Sequence, residues 1–324
     1  MILFHSETNF QLKQKSAVKI WVKETIAKEG KISKDINFIF CDDRFLNEKN
    51  KTYLGHDSFT DIITFDYSEK DLISGDILDY SKLVTSMKNH DIVIHLAAKI
   101  SVPESIKNPK LTFDVNVNGT QNVLDACLQN DITKIIAAST AAVYQNTSPK
   151  IILDEVSPVE PQSPYGESKL EMENKIIDFT SIHNIDATIL RFFNVFGIGQ
   201  SLEYAGVVTK FKENIQNNCP LVIFGDGAIT RDFIHVDDVV DAIILSTSHS
   251  KNSIYNIASG ISTSISDLAK IMISISGKDI KILYHPSRSG DILFSSADIS
   301  LAKETLKFMP KISLKSGLEE FMSK

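Results

Sequence analysis

From Gly75 onward the chain alternates apolar runs of strand length with longer segments of helical spacing, and no other feature restricts the fold as much. DIVIHLAA (91–98) is a strand with almost no polar break. A helical segment over 111–129 follows, then the strand TKIIAAST (133–140), a helix over 165–180 and the strand ATILRFFNVFG (187–197). Strands without a polar face need cover on both sides, and helices of this length between them make parallel βαβ units. The pattern predicts an α/β protein with a parallel sheet and helices on both faces. Residues 198–324 mix helices with short strands around the turn signals Gly225-Asp226-Gly227 and Ser289-Gly290-Asp291, and read as a smaller C-terminal lobe. Ligands of open α/β sheets bind beyond the carboxyl ends of the strands, so the chemistry is sought there.

The segment before Gly75 also reads as α/β. MILFH and INFIF (36–40) are strands, and 16–29 carries Val18, Trp21, Val22 and Ile26 at helical spacing with Gly30 as its cap. A helix over 44–53 and a strand over 61–65 follow. Glycine is scarce here: of the 14 glycines in 324 residues, only Gly30, Gly55 and Gly75 precede Gly119. Lys plus Arg is 34 against 41 for Asp plus Glu, a net charge of −7 that argues against broad nucleic-acid binding. Cys41, Cys127 and Cys219 are far apart, odd in number and form no C-x-x-C, which argues against a zinc ribbon and a disulfide framework and points to free thiols in a reducing cytoplasm. No signal-peptide pattern and no run of about 18 apolar residues is visible, so no membrane association is expected. The eight histidines show no ligand spacing, and no metal is expected.

The sharpest chemical signal is YGESK, residues 165–169. Tyr165 and Lys169 stand at i and i+4, so a helix puts them on one face. A nearby ammonium favours the phenolate and lowers the tyrosine pKa from its reference of about 10, which makes Tyr165 a candidate general base near neutral pH. An ordinary helix surface can carry the same pair, so context decides. The strand ending Ala138-Ser139-Thr140 precedes it, and Thr140 offers a hydroxyl at that strand's carboxyl end.

The stretches GDILD, DIVIHLAA, NVNGT, STAAVY, SPYGESK, LRFFNVFG, GDGAITRDFIHVDD and RSGD occur in this order. From about Gly75 to the end the chain thereby resembles an extended short-chain dehydrogenase/reductase of the NAD-dependent epimerase/dehydratase family, nearest the UDP-glucose 4-epimerases. The resemblance implies a Rossmann-like NAD-binding domain, NAD as cofactor, a UDP-sugar substrate and a homodimer built on helices 111–129 and 165–180. Thr140, Tyr165 and Lys169 match the catalytic Ser/Thr, Tyr and Lys. Asp76 and Ile77 match the pair at the adenine; Leu96, Ala97 and Ala98 match the loop beside the dinucleotide, and Asn116 the asparagine of the next helix. Phe192, Asn194 and Val195 match the segment between nicotinamide and substrate. Val222, Phe224, Arg231, Arg288 and Asp291 match the UDP-binding positions, and two loop arginines suit a diphosphate. Each match has a plainer reading beside it: Arg231-Asp232 as a surface ion pair, Asp237-Asp238 as a favourable helix start, His95 and His235 as structural histidines.

The mechanism the resemblance implies is removal of the sugar 4-hydroxyl proton by Tyr165, hydride transfer from C4 to NAD, rotation of the 4-keto sugar, and return of the hydride to its other face. A 4,6-dehydratase of this family carries Asp-Glu just after the Ser/Thr. Ala141-Ala142 stands here, and two alanines move no proton, so the epimerase subtype is favoured.

The pattern breaks at the start. The family opens on a strand and a G-x-x-G-x-x-G turn whose glycines let the backbone approach the pyrophosphate. Residues 5–10, HSETNF, contain none. Residues 1–77 instead resemble the N-terminal half of a YbeY-type rRNA maturation endoribonuclease, through INFIFCDDRFLNEKNKTYLGHDSFTDIITFDYS and ISGDI, without that family's histidine triad. The expected organisation is therefore chimeric: 1–75 a YbeY-like α/β segment replacing the first βαβ unit, 76–197 the rest of the NAD-binding domain, and 198–324 the nucleotide-sugar lobe, joined at Gly75-Asp76-Ile77. The expected activity is NAD-dependent UDP-sugar 4-epimerisation with weakened NAD binding. The alternatives are a non-catalytic sugar-nucleotide-binding protein, a metal-dependent endoribonuclease, and a chain that folds poorly. Asp42 or Asp43 follows the second strand, where a ribose-binding carboxylate would stand, though an ordinary turn is the favoured reading.

Overall fold

A computed structural model describes residues 2–6, 36–40, 75–145, 151–200, 206–249, 252–287 and 294–323. The predicted elements at 16–29, 44–53 and 61–65, together with Asp42, Asp43, Arg288 and Asp291, lie outside the described residues. Strands β1 (Ile2–Ser6) and β2 (Ile36–Phe40) fall on the two apolar runs and pair in parallel, Ile2 opposite Ile36 and Ser6 opposite Phe40.

The chain divides into two compact units. The first comprises Met1–Ser139, Ser163–Leu190 and Ile243–Ile254. After helix α1 (Tyr80–Ser86) its sheet begins with β3 (Ile92–His95). Helices α2 (Val102–Lys107) and α3 (Pro109–Phe113), a π-helical turn (Asp114–Gly119) and α4 (Thr120–Gln129) lead to β4 (Lys134–Thr140). Helix α5 (Pro164–Ile182) leads to β5 (Asp186–Phe192). The sheet order is β3-β4-β5-β9, where β9 is Ser253–Ile257, and β3 runs parallel to β4. Ile77, Leu124, Cys127, Ile135, Met172, Ile176 and Ile189 form the core between these strands and helices, each 2% exposed or less. This is the parallel α/β arrangement the alternation predicts.

The second unit comprises Thr140–Gln162, Arg191–Ala242 and Tyr255–Lys324. Its strands β6 (Asn194–Phe196), β8 (Thr230–His235) and β10 (Ser262–Ser264) form one sheet, ordered β10-β8-β6. β7 (Leu221–Phe224) and β11 (Ile282–His285) form a parallel pair. Helices α6 (Val207–Gln216), α8 (Ile265–Ser276) and α9 (Leu314–Met322) pack Phe211, Leu268, Met272 and Leu318 around Phe196, Leu221, Ile223 and Phe233. Helix α7 (Val236–Thr247) opens on Asp237 and Asp238, as expected of a helix start. Asp238 does more than face the dipole: its carboxylate accepts the main-chain N–H of Lys311 at 2.8 Å and of Ile312 at 3.1 Å.

Two predicted elements depart from a single regular run. The single strand expected over 187–197 is β5 and β6, separated at Phe193, whose N–H goes to the carbonyl of Ile257 at 3.1 Å. β5 then belongs to one sheet, and β6 pairs with β8 in another. The helix expected over 111–129 is continuous from Pro109 to Gln129 but contains the π-helical turn Asp114–Gly119, for which Asn116 supplies the cause below.

Candidate active site

Helix α5 starts where its sequence says it should. Ser163 caps it, the side-chain oxygen accepting from Gly166 N at 3.2 Å, and Pro164 fills the first turn, where a missing N–H costs nothing. Tyr165 follows in that first turn, half-buried, its N–H donated to Ser105 Oγ at 3.1 Å. One turn on, Lys169 is 3% exposed, and its ammonium donates to the carbonyl of Ala138 at 2.9 Å. Ala138 lies two residues before Thr140 on β4. Thr140 Oγ1 accepts from Ala142 N at 3.1 Å and caps a single 3₁₀ turn, Ala141–Val143. That bond uses the hydroxyl's oxygen and leaves its hydrogen to be donated.

Asn116 is fully buried and works as a clamp. Its Oδ1 accepts from Lys99 N at 2.7 Å; its Nδ2 donates to Lys99 O at 3.0 Å and to Ser168 Oγ at 2.9 Å. Holding the loop after β3 against α5 from within a helix requires the extra residue per turn that a π-bulge supplies, and such bulges collect at functional sites. Thr120 gives its hydrogen to the Asn116 carbonyl at 2.7 Å, so its oxygen accepts from His95 Nε2–H at 2.8 Å. His95 is thus a satisfied structural histidine. Burial, and then the Lys169 charge, hold its pKa at about 3, against 6.5 in an unfolded chain. Between those values the unfolded chain binds the extra proton, so stability falls with falling pH, by roughly 1.4 kcal/mol per pH unit. His95→Gln is expected to flatten that acid slope between pH 6 and pH 4 in urea titrations. An unchanged slope would assign the acid sensitivity elsewhere.

At residues 76–78 the chain makes a turn closed by Asp76 Oδ1 accepting from Leu78 N at 2.9 Å. Asn122 Nδ2 donates to the carbonyls of Ile77 at 3.0 Å and Leu78 at 3.3 Å. Asp76 is half-exposed, but Ile77 is 1% exposed, so its side chain belongs to the core and only its main chain could meet a ligand. Leu96 is half-buried; Ala97 and Ala98 are buried just beyond β3.

The second unit carries the remaining predicted residues. Phe192, Asn194 and Val195 are half-buried; Asn194 Nδ2 donates to Asp232 O at 3.1 Å, and Val195 sits opposite Ile234 in the β6–β8 register. Val222 and Phe224 occupy alternate, half-exposed positions of β7, with Phe224 edge-on to His285 at 5.9 Å. Arg231 sits opposite Thr263 on β8. Its neighbour Asp232 is buried, accepting from Ser259 N at 2.8 Å, Ser259 Oγ at 2.7 Å and Gly260 N at 3.0 Å, so it is not the surface carboxylate the ion-pair reading required. His235 is buried edge-on to Phe196 at 5.4 Å.

The description "NAD dependent epimerase/dehydratase family" matches residues 43–258. The chain belongs to that family. The match begins upstream of Gly75, inside the segment with the endoribonuclease resemblance. The chain is 36% identical to a UDP-N-acetylglucosamine 4-epimerase from Methanobrevibacter ruminantium, over 78% of this chain and 81% of that one, with a TM-score of 0.74. A UDP-glucuronic acid 4-epimerase point mutant from Bacillus cereus, in complex with UDP-4-deoxy-4-fluoro-glucuronic acid and NAD, is 32% identical over 78% of this chain and 80% of that one, TM-score 0.72. A UDP-glucose 4-epimerase from Thermotoga maritima superposes over 100% of this chain and 98% of its own, at 27% identity and a TM-score of 0.78.

As a family member the protein is an enzyme of a NAD-dependent class, and the described residues can be tested against that cofactor. They fit at the nicotinamide end, where a half-buried phenol stands one helical turn from a buried ammonium. At the end where the family matches place adenine, the half-exposed Asp76 carboxylate and the turn locked by Asn122 are compatible with it. Among the described residues no cluster of His, Cys, Asp and Glu could hold a metal, and no helix is long and apolar enough to cross a membrane. Sequence reading missed one buried pair: Ser139 Oγ donates to Glu173 Oε1, with both residues at most 4% exposed. The signal was present, because Glu173 stands at i+4 from Lys169.

Proposed function

We propose that the protein is a UDP-sugar 4-epimerase in which Tyr165 is the acid/base, Lys169 its electrostatic partner and Thr140 a hydrogen-bond donor to the same substrate oxygen. The observation that carries this is the seating of Lys169: a buried ammonium, one turn after Tyr165, fixed to the carboxyl-terminal end of β4 by Ala138 O. Tyr165, as phenolate, takes the proton of the sugar 4-hydroxyl and returns it after the hexose has turned over. The Lys169 charge holds that phenolate at neutral pH. Asp76, the Ile77 main chain, Leu96, Ala97, Ala98, Phe192 and Val195, with Tyr165 and Lys169, would hold NAD, which when bound takes up and gives back the substrate hydride, and the buried Asn116 would act by holding the loop after β3 in place. Asn194, Val222, Phe224, Arg231, Arg288 and Asp291 would hold the UDP-sugar. The two residues after Thr140 are alanines in a single tight turn, so no side chain there can eliminate water from the sugar. That favours epimerisation over 4,6-dehydration.

The missing glycines bear on affinity. A side chain on each residue of HSETNF keeps the backbone away from a pyrophosphate, which the family's turn admits through its glycines. A chimeric join at 75–77 would account for their absence. NAD is therefore expected to bind the purified protein with a dissociation constant well above the micromolar range, while UDP binds normally. Calorimetric titration with each ligand tests this, and micromolar affinity for NAD would overturn the weakened-cofactor part of the reading.

A further inference from the structure

We propose that Glu173 is a positioning residue for the Tyr165–Lys169 pair: its carboxylate, held by the Ser139 hydroxyl, is the buried counter-charge that fixes the Lys169 ammonium. The inference rests on the roles proposed above for Tyr165 and Lys169. Tyr165, Lys169 and Glu173 stand at i, i+4 and i+8 on α5, so they line one face with about 6 Å between successive members. Lys169 is 3% exposed and Glu173 1%. Consecutive residues of β4 receive them, Ala138 through its carbonyl and Ser139 through its hydroxyl. A buried ammonium lying on a neutral carbonyl and the thioether of Met172 at 3.5 Å gains far more from a carboxylate one turn away than an exposed one would. Ser139 pins that carboxylate, so the charge keeps one position.

The elements packed on α5 bring other titratable groups. β3 brings His95, which stays neutral. α2 brings Glu104 and Lys107, exposed and paired with each other at 2.7 Å; α3 brings Lys110, the π-helical turn Asp114 and α4 Asp125. β4 brings Lys134, whose ammonium donates to the carbonyl of His249. Glu167, Glu171, Lys175 and Asp178 share α5 itself, none of them buried. Of all these only His95 and Lys134 are buried like Lys169, and neither carries a negative charge.

The test follows from the sign of the charge. A nearby carboxylate raises the proton affinity of both Lys169 and Tyr165, so Glu173→Gln, which keeps the shape and an acceptor for Ser139, lowers both. ¹³C-labelled tyrosine NMR of the protein without NAD, with Tyr165 assigned by Tyr165→Phe, is expected to show Tyr165 titrating about one pH unit lower in Glu173→Gln. Both limbs of the pH–activity profile move down together, and Glu173→Asp restores the wild-type titration. A merely structural Glu173 would lower activity or Tm and leave the titration where it was. That result overturns the proposal. Should the amide prevent folding, Glu173→Met removes the charge without adding a polar group, and the same shift is required of it. Failure of the proposed function would show instead as no epimerisation by the wild type, or as full activity in Tyr165→Phe, results the titration does not depend on.

Discussion

Tyr165→Phe is expected to lower kcat for UDP-sugar epimerisation by about a thousandfold at saturating NAD, with UDP binding unchanged. The magnitude is that of a general acid/base contributing alone. The substitution deletes one hydroxyl and nothing that holds the helix: the Tyr165 N–H still reaches Ser105, Ser163 still caps α5, and Ser168 Oγ still donates to the Tyr165 carbonyl at 2.8 Å. A loss of this size with an unchanged Tm therefore reports on chemistry. Assays follow UDP-galactose, UDP-glucuronate and UDP-N-acetylglucosamine in turn, because the described residues do not choose among hexoses. Activity within tenfold of wild type on the best of these would remove Tyr165 from the reaction.

Local rules carried much of this structure, and tertiary contacts carried the rest. Helix α5 was legible almost to its ends, because Ser163-Pro164 is a strong start signal and the Tyr-Lys pair sits in the first two turns. β3 and β4 were legible because an unbroken apolar run of that length suits a strand covered on both faces. The π-helical turn at 114–119 was not. Nothing in DVNVNG asks for it; the demand comes from Lys99 and Ser168, both distant in sequence, which Asn116 must reach at once. Likewise ATILRFFNVFG holds no breaker at Phe193, and the strand divides only because Ile257 takes one side's hydrogen bond and β8 offers β6 a different sheet. At the site, the positions on α5 and at the end of β4 follow from spacing. A surface ion pair for Arg231-Asp232 stayed open in the sequence because strand alternation alone does not say which face is buried, and the 259–260 turn that buries Asp232 is remote in sequence.

Gly119→Ala joins packing to cofactor binding, and there the competing terms can be weighed. Alanine in place of glycine inside a helix ordinarily gains about 1 kcal/mol. Here an added Cβ would lie 2.5 Å from Ile77 Cδ1 and 2.7 Å from Cγ1, far inside contact distance. Ile77 has nowhere to retreat, being 1% exposed in a core with Leu83, Val115 and Leu124. Overpacking of this kind costs about 1–3 kcal/mol, which exceeds the helix gain over most of its range. The strain falls on the 76–78 turn, because Asn122 ties the Ile77 carbonyl to α4 while the side chain is pushed away from it. The expected result is a net destabilisation of about 1 kcal/mol in urea unfolding, together with weaker NAD binding and unaltered UDP affinity. Adding Ile77→Val should recover part of both losses, since it removes the Cδ1 atom in contact. A Gly119→Ala protein more stable than wild type would show that the helix term wins and that Ile77 yields freely, and the turn could then not be the rigid adenine platform proposed for it.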